Sequence, residues 1–257
     1  MSNCSRTIFT PFRQAVGPGE LEIPAVRGLG GSLVSFTDTK SQLGRVWDIE
    51  FTPLDAARSH RDTGLSVVDH ISQSMQYEEV LTWQLFYCAL LDLAKTPEQE
   101  VLDPGGIVKS QVLQTTAGEL RFVFNASQSS RTLSSRFLSE AFGSGVQHIV
   151  FATNDIFATA TALKENGVSF LTIPENYYDD VEAKTDLPEA AIDRLKANNI
   201  LYERDGSGEY LQAYTRRSSS EEAATRGSER AMRRSALRPR HATQGRRISR
   251  GGSPGRE

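Results

Sequence analysis

The sequence predicts an α+β protein built from two copies of one module, each a strand, a helix and then further strands. Three observations predict it. Two histidines sit far apart in near-matching β-branched runs, His70 in Gly-Leu-Ser-Val-Val-Asp-His-Ile and His148 in Gly-Ser-Gly-Val-Gln-His-Ile-Val-Phe. Each run reads as a strand, and each is followed by apolar residues at helical spacing. After Arg216 the text turns to arginine, serine, alanine and glycine, with no aromatic residue and no lysine.

The elements follow in order. Residues 1–63 read as the remnant of a preceding module plus a polar connector, Leu54 to Thr63. Glu20 to Ile23, Gly31 to Thr37 and Val46 to Phe51 are expected as short strands between Gly- and Pro-rich turns. The first full module spans 64–143. Val67 to Ser72 is its first strand, and Tyr77 to Leu93 is an amphipathic helix carrying Val80, Trp83, Phe86 and Leu90. Val108 to Thr115 and Leu120 to Phe124 follow as strands around the turn Thr-Ala-Gly-Glu.

The second module, 144–215, repeats this order. Val146 to Thr153 is a strand, and Ile156 to Asn166 a helix closed by Gly167. Ser169 to Ile173 is extended and stopped by Pro174, and Tyr177 to Lys184 and Pro188 to Asn198 are helical. Ile200 to Arg204 and Glu209 to Thr215 form a hairpin. One further strand would complete the module. It is missing from the pattern, which leaves an open sheet edge. Residues 216–257 are expected to be a disordered Arg-rich tail, because they carry too little apolar surface to offset the entropy of ordering.

Charge divides the chain the same way. The net charge of −3 hides a tail of +8 and a body of −11. The acidic body gives no reason to expect nucleic acid or an anionic membrane as partner. A basic-tailed protein binding a polyanion stays as a minor alternative resting on the tail alone. Cys4 and Cys88 are the only cysteines, one near the terminus and one on a predicted helix, so no disulfide framework is expected. With no apolar stretch of spanning length and no secretory signal pattern, a cytoplasmic protein is expected.

A single strand histidine is an ordinary residue. Two in the same slot of repeated modules offer two neutral nitrogen ligands to one metal. Adding a carboxylate from a last strand would make the facial triad that suits Fe(II), with positions open for substrate and dioxygen.

These residues carry a resemblance. Gly-Ser-Gly-Val-Gln-His-Ile, followed by Asn-Gly-Val-Ser-Phe-Leu-Thr-Ile-Pro-Glu-Asn-Tyr-Tyr, resembles the C-terminal module of 4-hydroxyphenylpyruvate dioxygenase and its relatives in the vicinal oxygen chelate superfamily. The upstream Gly-Glu-Leu-Glu-Ile-Pro-Ala-Val-Arg-Gly-Leu-Gly-Gly-Ser-Leu-Val-Ser-Phe resembles the end of that family's N-terminal module. Asn176 to Asp180, Ile200 to Tyr202 and Gln212 to Thr215 look most like the dioxygenase-like half of fused bacterial proteins. There a barrel, with no counterpart in this sequence, is a 3-dehydroshikimate dehydratase.

The resemblance implies paired βαβββ modules and a metal held by His70 and His148. The metal would be Fe(II), or another divalent ion such as Mg, Mn or Co. Ser110, Asn125 and Gln212 fall at substrate-facing positions. The implied reaction is the oxidative decarboxylation of an aromatic 2-oxo acid with dioxygen. The implied alternative is the non-catalytic, dioxygenase-like C-terminal module of a 3-dehydroshikimate dehydratase of quinate or shikimate breakdown, severed from its barrel. Self-association into a homo-oligomer is compatible with either.

Departures from the family are plain. Its Asn-Glu-Pro is here Asn125-Ala126-Ser127, and a family glutamine falls on Leu133. The third ligand, a glutamate in a Phe-Phe-Glu-Ile context, is not identifiable. Glu221, Glu222 and Glu229 are the nearby acids, and none lies in an alternating apolar run.

Overall fold

The computed structural model describes residues 9–52, 62–205, 208–216 and 233–237. Cys4, nearly all of the connector and Glu221, Glu222 and Glu229 lie outside them. The chain opens with a small antiparallel sheet, β1 (Pro11–Phe12), β2 (Ala25–Arg27) and β3 (Leu33–Ser35). Glu20 to Ile23, expected as a strand, is not one.

The expected strand at Val46 to Phe51 is corrected to a helix. Gln42–Arg45 forms a 3-10 turn that leads into α1 (Val46–Ile49). The Asp38 carboxylate accepts from the backbone N–H groups of Lys40 and Ser41, and the Ser41 hydroxyl accepts from Leu43 N–H. These caps bend the chain before any strand can start. Trp47 and Phe51, which alternation would put on one strand face, instead stack one helical turn apart at 4.8 Å.

The first module runs β4 (Leu65–Ser74), α2 (Val80–Leu91), β5 (Ala94–Lys95), β6 (Gln99–Asp103), β7 (Gly106–Gln114), β8 (Arg121–Ala126) and α3 (Leu133–Glu140). The sequence pattern showed neither β6 nor α3. At eight residues α3 is short, and Thr132 starts it by accepting from Ser135 N–H at 3.2 Å. Nor is α2 amphipathic as expected. It is apolar on every side, with Tyr87 and Gln84 buried and Leu81 and Leu85 open to solvent.

The second module runs β9 (Gly145–Thr153), α4 (Ile156–Glu165), α5 (Glu175–Lys184), α6 (Glu189–Asn198), β10 (Ile200–Asp205), β11 (Gly208–Tyr214) and β12 (Arg233–Leu237). Asp155 caps α4, accepting from Phe157 and Ala158 N–H at 3.0 Å each.

All nine strands from β4 onward form one sheet in the order β10-β11-β12-β9-β4-β8-β7-β5, with β6 also on β7. The first strands of the modules, β4 and β9, are antiparallel neighbours at its centre. Each first strand also pairs in parallel with the last strand of its own module, β4 with β8 and β9 with β12.

That topology corrects the missing last strand and the wholly disordered tail. Arg233–Leu237 fills the slot between β11 and β9. A ladder is made by backbone groups, and the facing edges of β9 and β11 offer unpaired donors and acceptors to whatever segment reaches them. Arg-Arg-Ser-Ala-Leu has no alternating apolar signal, so its sequence did not announce a strand.

Two clusters cover the back of the sheet. One joins α2 to Leu113, Phe122 and Phe124, and takes in Leu29 from the N-terminal segment. Leu29 N–H donates to the Tyr87 hydroxyl at 3.3 Å. Gly30, at φ +62°, lets this segment lie on the turn before β9, where a Cβ would run into the Ser144 carbonyl. The other cluster packs α4, α5 and α6 against β10 and β11 through Ile156, Tyr178, Leu195 and Ile200. Among the described residues, no helix is long and apolar enough to cross a membrane.

Tyr178 is 2% exposed, and its hydroxyl meets no hydrogen-bond partner among the described residues. Burial pushes its phenol from the ordinary 10.0 up to about 12. Ionisation is free in the unfolded chain but resisted in the folded one, so stability is unaffected up to about pH 10 and falls as pH climbs toward 12. Tyr178→Phe is expected to gain about 1 kcal/mol at neutral pH by removing an unpaired buried hydroxyl. Its advantage in urea unfolding should widen between about pH 8 and about pH 11. A constant gap would contradict the ionisation argument.

Candidate metal centre

The central strand pair brings the two histidines together. In the β4–β9 ladder Ser72 lies opposite His148 and His70 opposite Val150, so both rings project from one face two residues apart. Their centroids are 6.2 Å apart at 71°, with His148 9% exposed.

The ladder is not regular here. Between Val68, opposite Phe151, and His70, opposite Val150, the register slips by one residue. This bulge lets His70 turn onto its own neighbour, so that Nδ1 meets Asp69 Oδ1 at 2.9 Å. The same oxygen accepts from Arg121 Nη1 at 2.9 Å, and Arg121 Nε donates to Gln114 Oε1 at 3.0 Å. With Nδ1 engaged, Nε2 is the His70 nitrogen left for a ligand.

Alternation places further polar groups on the histidine face. Ser72, fully buried, accepts from Asn125 Nδ2 at 2.9 Å. Ser110 lies directly opposite Asn125 in the β7–β8 ladder, two strands from β4, or about 10 Å in strand spacing. Val112 and Val123, paired across the same two strands, share that face. Ser72 was readable in the sequence, since it follows His70 by the two residues that return a strand to the same side. Arg121 was not, because 52 positions separate it from Asp69.

Gln212 stands apart. Its register runs through Ala236 to Ala152, four residues along β9 from His148 and two strands away. It lines a cavity of about 660 Å³ with Tyr177, Val181, Leu201 and Tyr214. Leu133 opens α3 and is exposed.

A simple distance test applies to one shared ion. A ring binding through Nε2 puts its centroid about 3.2 Å from the metal, so two rings at the roughly 90–110° of an octahedral or tetrahedral site have centroids about 4.5–5.2 Å apart. The observed 6.2 Å is about 1 Å wider, so the rings must draw together to share an ion. Among the described residues no group of three or more His, Cys, Asp or Glu side chains is arranged to hold a metal ion, and β12 contains no acid. The chemistry of the pair, two imidazoles on neighbouring strands, suits a divalent ion, whose remaining positions would fall to substrate or water.

Comparisons with known proteins identify the fold family. Residues 68–183 match the Glyoxalase/Bleomycin resistance protein/Dioxygenase superfamily. A 3-dehydroshikimate dehydratase of Pseudomonas aeruginosa is 39% identical over 198 residues, covering 77% of this chain and 31% of that protein. A 4-hydroxyphenylpyruvate dioxygenase of the same species is 27% identical over 202 residues, covering 77% of this chain and 56% of that protein. A solved xylose isomerase-like TIM barrel/4-hydroxyphenylpyruvate dioxygenase fusion protein superposes with a TM-score of 0.67 at 33% identity, covering 94% of this chain and 36% of that one. The chain therefore spans about a third of the dehydratase and little more than half of the dioxygenase.

Proposed function

The chain carries a domain of the glyoxalase/bleomycin resistance protein/dioxygenase superfamily, the vicinal oxygen chelate fold, and from that premise we propose that it is a metal-dependent dioxygenase of the 4-hydroxyphenylpyruvate dioxygenase type, acting on an aromatic 2-oxo acid. The observation that carries the reading is the pairing of His70 and His148 on the two central strands. Both imidazoles would hold the metal, Fe(II) in the first instance. Iron(II), when bound, supplies the coordination positions at which a 2-oxo acid and dioxygen meet.

The rest is done by this chain's own side chains. Val112 and Val123 offer an apolar strip on which an aromatic ring lies, and the amide of Asn125, fixed by Ser72, and the hydroxyl of Ser110 flank it. Ser72 and Ser110 are buried, whereas Val112, Val123 and Asn125 are part-exposed, so the valines are open to receive a ring and the polar groups beside them would orient it. The Gln212 cavity lies apart from this strip, so Gln212 enters the reading only if substrate reaches across β12.

The test is oxygen consumption. The purified chain, loaded anaerobically with Fe(II), is expected to take up dioxygen with 4-hydroxyphenylpyruvate or another aromatic 2-oxo acid, above the background of a His70→Ala, His148→Ala variant. No uptake across a panel of such acids sinks the reading.

A second reading has its own support. Identity is higher to the dehydratase than to the dioxygenase, 39% against 27%, and among the described residues no acid completes a three-residue metal-holding group with the histidines. On this reading the chain is a dioxygenase-like module that accompanies a 3-dehydroshikimate dehydratase barrel. A separately supplied barrel that gains solubility or activity from this chain, with no oxygen uptake, would favour it.

A further inference from the structure

We propose that Asp69, clamped by Arg121, is a positioning residue that turns the Nε2 atom of His70 toward the metal. It rests on the metal reading above and adds to it the group that prepares one ligand.

Three features of the strand point the same way. In a regular strand adjacent side chains point to opposite faces, and a histidine could not reach the carboxylate next to it. The one-residue slip between Val68 and His70, one of three along the β4–β9 ladder, removes that obstacle next to Asp69. Asp69 is 8% exposed, and taking a carboxylate out of water is costly unless donors meet it. Two donors converge on Oδ1, from His70 and from Arg121, and Gln114 fixes the guanidinium from its other side. A carboxylate held this way accepts a proton-bearing Nδ1, so the lone pair is on Nε2 before any ion arrives.

A plain structural role, an ion pair stapling β4 to β8, predicts the same contacts but no effect on the ring. The experiment separates the two. The ¹⁵N spectrum of the imidazoles in the metal-free full chain reports which nitrogen of His70 carries the proton, and a Co(II) titration reports affinity. The parent is expected to hold the proton on Nδ1. Asp69→Ala should shift it toward Nε2 and weaken Co(II) binding by roughly 10–100-fold, the cost of losing an outer partner of a metal ligand. Asp69→Asn, which keeps an acceptor oxygen, should restore the Nδ1–H form.

If Asp69→Ala does not fold, Arg121→Gln serves instead, and it is expected to loosen Asp69 and lower Co(II) affinity. Unchanged affinity there overturns the clamp. A parent that binds Co(II) and an Asp69→Ala variant that binds equally well, with the proton unmoved, overturn the positioning role alone. A parent that binds no Co(II) overturns the metal reading and this inference with it.

Discussion

Replacing His70 and His148 together by alanine is expected to abolish divalent-metal binding while leaving the fold in place. The two rings meet only because the first strands of the two modules are neighbours, with Ser72 opposite His148 and His70 two residues along. No other described group could take over. Asp69 is engaged by His70 and Arg121, and among the described residues no group of three or more His, Cys, Asp or Glu side chains is arranged to hold a metal ion. Loss of a direct ligand should exceed the roughly 10–100-fold cost of losing an outer partner. Anaerobic Fe(II) titration of parent and double variant, with circular dichroism as a folding control, measures it. Indistinguishable titrations would mean that this is a dioxygenase fold without its chemistry.

Phe124→Ala is expected to cost about 3–5 kcal/mol, the range for a buried phenylalanine. Phe124 is 1% exposed, with Tyr87 edge-on at 5.5 Å and Phe122 beyond it at 6.4 Å. It holds α2 against the back of β8, the strand whose other face presents Val123 and Asn125. Domains of ordinary stability have about 5–15 kcal/mol in all, so the loss is a large fraction of the total. Urea unfolding followed by tryptophan fluorescence reads it through Trp83, which packs on Tyr87 at 6.2 Å. A loss below about 1 kcal/mol would show that α2 is not what seals this side of the sheet. Because Asn125 is the next residue on β8, its hydrogen bond to Ser72 should loosen as well.

Much of this was legible in the chain itself. The β-branched runs around His70 and His148, each followed by helical spacing, determined two like modules, and the resemblance most specific from His148 to Tyr178 determined their family. Alternation also fixed the companions of the histidine, since Ser72 shares its strand face with His70 by spacing alone. Local periodicity records which way a side chain points within its own element.

Only the tertiary structure decided the rest, because it depends on partners distant in sequence or on backbone bonding that side chains do not encode. The register slip at Asp69 exists only against β9, and Arg121 reaches Asp69 only once β8 lies beside β4. The capped turn at Ser41 overrode the alternating pattern of Val46 to Phe51. Arg233–Leu237 became a strand because two open ladder edges recruit a backbone whatever its side chains. Gln212 shares a strand face with His148 but lies four residues along and two strands away, because Arg233–Leu237 stands between β11 and β9.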